Sequence, residues 1–551
     1  MNKLLILGLD GATFDLIRPW VAEGHLPNLG RLMESGVSGD LASTLPPVTS
    51  PAWPSFMTGM NPGKHGVFDF IRPNAGDFTL VNATSIRAPT IWHIMSEAGL
   101  RVGVMNVPVT YPPQPVNGFM IGGLLSPTGA DNAYPPGLLA SYSAELGPYR
   151  VALRVQYKEG HEEAFLADAL DLIETRGRYA LRLMADRPWD AFMVHFIALD
   201  NLQHALWKLI DPTHPRHQPE LADKCGDGLL RAYQCVDEQV GLLIERAYQL
   251  AGEVNVLVMS DHGFGPLHYI VNLNVHLLQH GLLRLKRRPW PQLKAALFRA
   301  GLTPAGVYRL LEKLGLQDIV ARVSKRSRNQ VVGKFLSFSD VDWRHTVAYS
   351  MGHVGQVYVN RRGRESQGIV ADGAAYEAAR ERVVAALRQL THPETGQPLL
   401  DQVIYGPDVT HGPYADQAPD LHLVFDGYRC IAFPLFATNA EVITRQIRGD
   451  SGCHRSHGIY IGAGPAFRQG GACENRRIID LAPTILHLLG LPVPRSMDGR
   501  VLRDDLSPDF LKTHPVRFVQ AGDDEGDEEV ALSEEETAEI EERLRALGYL
   551  G

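Results

Sequence analysis

The chain is predicted to be an α/β protein with a mainly parallel sheet. Compact apolar runs suited to buried strands alternate with long amphipathic stretches of helical period. Three of the strand-like runs lead into an aspartate, where open α/β sheets bind ligands, beyond the carboxyl ends of their strands. The chain is also large enough for such a core, with 551 residues of which 45% are hydrophobic.

Lys3–Leu9 reads as the first central strand. A helix follows near Asn28 in PNLGRLMESG and stops at Gly36. Residues 101–107 form the next strand, after a helix that ends at Gly99. Helical period then covers residues 162–185 and 229–250, and two further buried strands are expected at 189–198 and Val254–Met259. The stretch from Phe335 is rich in strand signals. Residues 1–281 and 335–515 are read as one domain, interrupted by a basic, mostly helical insertion at 282–334. That insertion is a cover over an anionic substrate, a weak contact for an anionic membrane, or simply a solvated helical hairpin. Residues 516–551 read as an acidic linker and a short helix. Ser533 and Glu536 supply its capping box, Ile540, Leu544 and Leu547 share one face, and Gly548 ends it.

Composition excludes several classes. A net charge of −9, from 53 Lys plus Arg against 62 Asp plus Glu, argues against a protein-wide nucleic-acid footprint. Five cysteines with no C-x-x-C pair make neither a disulfide framework nor a thiolate zinc site. The opening apolar stretch is too short for a signal peptide, and no run approaches the ~18 residues of a membrane span, so a cytoplasmic location is expected.

Asp10 ends LLILGLD, Asp200 ends FMVHFIALD, and Asp261 ends VNVLVMSD. Any one of them could merely cap the next helix. Their histidine company argues for more. Asp200 and His204 are four apart, one helical turn, so both can face one ion. His262 follows Asp261 directly, and His454 and His457 precede an apolar strand. Three Asp and three His at such positions are ligand chemistry for Zn²⁺ or Mn²⁺, and six ligands suffice for two ions. In LPPVTSPAWPSF, Thr49 and Ser50 stand before Pro51, so a hydroxyl lies at a helix N-terminus, where a phosphate can be cradled.

These residues together resemble the alkaline phosphatase superfamily, in particular its type I phosphodiesterase/nucleotide pyrophosphatase branch and bacterial phosphohydrolase or phosphomutase relatives. The resemblance rests on GLDGATFD, TSPAWPSFMTGMNPGKHG, DNLQHALW, SDHGFGP, HRSHGIYIGAGP and DLAPTILHLLGLPVPRSMDG, in the family's order. It implies a three-layer α/β/α sandwich and a two-metal phosphoric ester hydrolase. One metal falls to Asp200, His204 and His454, and the other to Asp10, Asp261, His262 and the nucleophile Thr49. Zn²⁺ is the first choice and Mn²⁺ the second. Ser50 is the second candidate nucleophile, and Ser50, His457, Tyr349 and His353 are candidate substrate contacts.

The chain departs from the family where phosphate is bound, because Ala52 stands where the pyrophosphatases carry Asn. No arginine of the alkaline phosphatase type is evident, nor is the Cys-x-Pro-x-Arg motif of sulfatases. A small-molecule phosphodiester is therefore favoured over a monoester, with no nucleic-acid polymer indicated. A phosphomutase and an inactive metal-binding scaffold are the alternatives.

Overall fold

The computed structural model describes residues 3–74, 77–129, 131–303, 336–432, 440–445, 449–520 and 530–546. Nine strands form the main sheet: β1 (Lys3–Leu9), β2 (Val37–Ala42), β3 (Val102–Met105), β4 (Gly118–Ile121), β5 (Ala133–Tyr134), β6 (Ala191–Phe196), β7 (Val254–Met259), β8 (His457–Ala463) and β9 (Arg476–Arg477). Their order is β9-β2-β8-β7-β1-β6-β3-β4-β5. The block β7-β1-β6-β3-β4 is parallel throughout, and β8 pairs antiparallel with both β7 and β2.

Strand periodicity separates the two faces. Along β1, Leu5, Leu7 and Leu9 enter one core and Leu4 and Ile6 enter another. The first core is covered by the helices Glu162–Asp186 and Gly228–Ala251, through residues such as Phe165, Ile173, Val236 and Val240. The second is covered by the helices Thr49–Thr58, Ile91–Glu97 and Leu481–Leu488. The result is the expected three-layer α/β/α sandwich, with β1 apolar on both sides as a central parallel strand must be.

Two predicted strands are shorter than expected, each for a local reason. The run expected to span 189–198 is strand only over Ala191–Phe196, because Ile197 adopts helical dihedrals and the helix Ala198–Ile210 begins at once. Asp200 therefore lies in that helix's first turn, not at the strand tip. The run at 101–107 stops at Met105, because Asn106 turns to φ 63 and leaves the extended region.

Residues 269–445 contribute a second sheet that the sequence pattern does not separate from the first. Seven strands (Tyr269–Val271, Ala348–Ser350, Gln356–Val359, Leu400–Tyr405, Leu421–Phe425, Cys430–Ala432 and Ile443–Arg445) pair mostly antiparallel over a distinct core. Val48, Val67 and Phe70, which flank the Thr49–Thr58 helix and its following loop, belong to that second core. Of the basic insertion, the described part holds a helix at Pro289–Arg299, which buries Ala295 and Phe298 and exposes Trp290, Leu293 and Leu297. Residues 304–335 lie outside the described residues. The C-terminal helix is present at Glu534–Ala546 with its capping box formed: Glu536 N–H donates to Ser533 Oγ and Ser533 N–H to Glu536 Oε2. Ile540 and Leu544 are fully buried in the second core, whereas Leu547 and Gly548 lie outside the described residues.

Candidate active site

Three neighbouring parallel strands, β7, β1 and β6, deliver the three acids to one place. Asp10 follows β1 directly, Asp261 follows β7 by two residues, and Asp200 comes one helical step beyond β6. Gly11 makes the turn after Asp10 at φ 65, and an added Cβ there would press on Phe264 at 3.0 Å. Its N–H donates to Asp261 Oδ1 at 3.3 Å, tying two of the strand ends together. A short antiparallel pair, Gly263–Pro266 with Gly452–Arg455, sets Phe264 opposite His454 and brings that histidine in from far along the chain.

Thr49 enters from the other face. Val48 is extended, the helix Thr49–Thr58 begins immediately, and Gly59 closes it at φ 66. Ala52, Trp53, Phe56 and Met57 anchor the helix in the core, so its first residue is held firmly. Thr49 Oγ1 lies 3.2 Å from His262 Nε2.

The three histidines share one device. His204 Nδ1 meets Gly452 O at 3.1 Å, His262 Nδ1 meets Gly263 O at 3.1 Å, and His454 Nδ1 meets Pro47 O at 2.9 Å. A backbone carbonyl can only accept, so each Nδ1 carries a proton, and in the neutral ring each Nε2 presents a lone pair to the centre. There His204 Nε2 and His454 Nε2 lie 3.1 Å apart, and Asp200 Oδ1 is 3.5 and 3.3 Å from them. Asp10 Oδ1 and Asp261 Oδ2 are buried and make no hydrogen bond, and they lie 3.7 and 3.3 Å from His262 Nε2. Lone pairs and buried carboxylate oxygens converging in this way fit divalent cations. Two groupings have ligand atoms within 4.8 Å of one another: Asp200, His204 and His454, and Asp10, Asp200 and His262. Asp200 is thus central to both, a role the sequence did not reveal, and Asp261 adjoins the second grouping through His262.

Electrostatics agrees with this chemistry. Burial, reinforced by Asp200, pushes the Asp261 carboxyl up to about 8. Burial and the charges of Asp261 and Asp200 likewise raise Asp10 well above the usual carboxylate range. Burial would raise Asp200 too, but His204 and His454 outweigh it and hold Asp200 well below that range. His204 answers in kind, its burial overcome by Asp200 and Asp450 so that it rises to about 9, and a cation held at Nε2 would displace that second proton. Three acids crowded in a dry site repel one another, and a cation relieves that repulsion.

Several contributing residues escaped sequence reasoning. His195 Nε2 lies 2.7 Å from Asp10 Oδ2, and Trp53 Nε1–H donates to the same oxygen at 3.3 Å, which leaves Oδ1 to face the centre. A histidine inside the otherwise apolar run AFMVHF was the available signal. Asp450 Oδ2 sits 3.5 Å from His204 Nδ1 on the side away from the cluster, with no local pattern to mark it. Asn201, beside Asp200, is buried and borders, with His204 and Asp450, a cavity of about 600 Å³.

The remaining predicted contacts are placed as follows. Ser50 is buried in the first turn of the Thr49 helix, and its hydroxyl makes no hydrogen bond. His457 is exposed and meets Ser456 Oγ. Tyr349 lies in the second sheet, donates to Glu365 Oε1 at 2.9 Å and stacks on Tyr358. His353 pairs with Asp69 at 2.5 Å.

Comparison with known proteins now adds to the geometry. The family model of type I phosphodiesterase/nucleotide pyrophosphatase matches residues 4–426. No curated protein matches the chain. Among solved structures, phosphonoacetate hydrolase from Sinorhizobium meliloti 1021, in complex with phosphonoformate, is similar over 87% of this chain and 94% of that one, at 16% identity and a TM-score of 0.51. An inactive variant of murine ectonucleotide pyrophosphatase/phosphodiesterase 5, in complex with AMP, aligns over 92% of this chain and 100% of that one, at 15% identity and a TM-score of 0.48. The fold expected from the motifs is that of the alkaline phosphatase superfamily, and the likeness to the hydrolase agrees with it.

Proposed function

Because this chain belongs to the type I phosphodiesterase/nucleotide pyrophosphatase family, a family of phosphoester hydrolases, we propose that it hydrolyses a small-molecule phosphodiester with Thr49 as nucleophile. The observation that carries this reading is the position of Thr49. Its hydroxyl sits at the N-terminal end of a buried helix, 3.2 Å from His262 Nε2, beside three converging acids. A helix N-terminus favours an anion, so a phosphoryl group placed there is held by backbone N–H groups and by the helix dipole.

Asp200, His204 and His454 would hold one divalent ion, and Asp10, Asp261, His262 and Thr49 a second, with Zn²⁺ the first choice and Mn²⁺ the next. When bound, such ions supply positive charge for the phosphoryl oxygens and lower the pKa of a coordinated hydroxyl. The chain's own residues do the rest. The core contacts of Trp53 and Phe56 fix the direction from which Thr49 Oγ1 approaches phosphorus. Attack in line forms the Oγ–P bond as the bond to the leaving oxygen breaks, and water then releases the phosphoryl group from Thr49. Asp10 is steered by His195 and Trp53, and His204, His262 and His454 by their carbonyl partners, so the constellation needs little rearrangement during reaction.

The test compares bis(p-nitrophenyl) phosphate with p-nitrophenyl phosphate, using protein stripped by chelator and reloaded with Zn²⁺ or Mn²⁺, beside Thr49→Ala. Expected are turnover restored by metal, preference for the diester, and a loss of at least about a thousandfold in the variant. Undiminished turnover by Thr49→Ala would overturn the assignment.

A further inference from the structure

We propose that the cavity beside His204 receives the organic part of the ester, a sizeable group with a largely apolar or aromatic body, and that the C-terminal helix forms its outer wall. This rests on the phosphodiesterase reading above and names the substrate class that the site selects. About 600 Å³ is far more than a phosphoryl group needs and falls within the range of small-molecule sites. The cavity is also in the right place. Of the cluster's acids and histidines, His204 is the most exposed, at 7%, while the others are at 2% or less, and His204 is the one that lines the cavity. Among the described residues His204 is the one the cluster and the cavity share, and Thr49 is not in the lining, so the organic group would extend past His204 from an ester held at the ion that Asp200, His204 and His454 would bind.

The lining describes the occupant. Leu124, Leu139, Leu153, Ile197, Tyr149 and Tyr157 contribute apolar and aromatic surface. The two guanidinium groups on the wall that are mostly buried are already engaged. Arg150 pairs with Asp168 and Asp171, each at 2.5 Å. Arg543 pairs with Glu539 at 2.9 Å and donates to Ser126 O at 2.5 Å. With Arg150 and Arg543 neutralised within the wall, the third lining arginine, Arg154, is the solvent-exposed one, so the buried part of the cavity is poorly suited to a second phosphate or a polyphosphate chain. An aryl or alkyl alcohol fits it better.

The helix Glu534–Ala546 is built in as a wall. It lends Glu539, Glu542 and Arg543 to the lining. Thr128 N–H donates to Glu539 Oε1 at 2.8 Å and Tyr111 O–H to Glu536 Oε1 at 3.1 Å, while Ile540 and Leu544 are fully buried beneath. None of the described residues of the basic insertion lines the cavity. Among the described residues, selection of the organic group is therefore shared between this helix and the segments around 124–132 and 149–157 that line the cavity with it.

The test uses the metal-loaded full chain with two diesters that share one leaving group, p-nitrophenyl phenyl phosphate and p-nitrophenyl methyl phosphate. The wild type favours the phenyl ester. In Ala152→Trp, which fills the cavity, and in a chain ending at residue 520, the phenyl-to-methyl ratio of kcat/KM falls by about tenfold or more. An unchanged ratio would overturn the proposal, even where Thr49→Ala has shown the phosphodiesterase reading to be right. Hydrogen exchange provides a second readout that needs no turnover. Phenylphosphonate slows exchange across residues 534–546 and methylphosphonate does not, and equal effects of the two would also overturn the proposal.

Discussion

The acid–histidine cluster and the cavity beside it share His204 but are built on different principles. Every cluster residue comes from the end of a strand, the first two turns of a helix or a short β-pair, and all are essentially buried. The cavity is assembled from the loop around residues 124–132, the stretch 149–157, three helices, Gly449 and Asp450, and a C-terminal segment. Rigid strand ends suit chemistry that tolerates errors of only a few tenths of an ångström. Loops and a docked helix suit a surface that must accommodate one organic group and exclude others, and they can vary without disturbing the cluster.

The comparison can be broken most decisively at Asp200. If it serves both groupings, Asp200→Ala abolishes turnover, by at least about a thousandfold, and lowers bound metal measured by elemental analysis. Loss of a single ion with residual activity would confine Asp200 to the ion it would hold with His204 and His454, and leave its place in the second grouping without effect. A smaller effect is expected at His195, which touches Asp10 rather than the reacting centre. His195→Ala should weaken metal affinity and turnover by about 10–100-fold, with partial rescue by His195→Gln; metal affinity measured by chelator competition separates this positioning role from simple destabilisation.

The smallest effect lies at the opposite end of the same strands. Arg101 grips Asp190 through two hydrogen bonds at 2.8 and 2.9 Å, and Lys3 approaches the same carboxylate at 3.4 Å, tying β1, β3 and β6 together. The hydrogen bond from Arg101 holds Asp190 well below the usual carboxylate range. A depressed folded-state pKa stabilises above the unfolded value of ~3.9 and is lost as pH falls through and below it. Asp190→Asn should cost about 1–2 kcal/mol at neutral pH, reduced by solvent screening of the half-exposed Arg101, and the gap from wild type should begin to narrow below ~pH 4 and close only at the acid extreme, once pH has fallen through the depressed folded-state value. A gap that persists there would assign the loss to packing.

The sequence revealed most where the chemistry is local. Asp10, Asp261 and His262 abut β1 and β7, and Asp200 with His204 shows a helical spacing, so residue type and position alone point to a cation site. Asp450 was illegible, because its meaning depends on His204, far earlier in the chain, and proximity of that kind leaves no local pattern. The second sheet was missed for a related reason. Its strands are short, several of only three or four residues, and adjacent ones in the sheet are distant in sequence, as with Tyr269–Val271 beside Cys430–Ala432. The C-terminal helix was legible as a helix through its capping box, yet nothing in its sequence says which surface Ile540 and Leu544 cover.

The position of that helix also bears on biosynthesis. His454 completes the cluster roughly eighty residues before the helix begins, and synthesis proceeds at about 5–20 residues per second. For some seconds a nascent chain holds every cluster residue but lacks the outer wall of its pocket. A protease cut between the two regions would return the mature protein to the same state, so cleavage of the tail would change which esters are accepted without touching the residues that carry out the reaction.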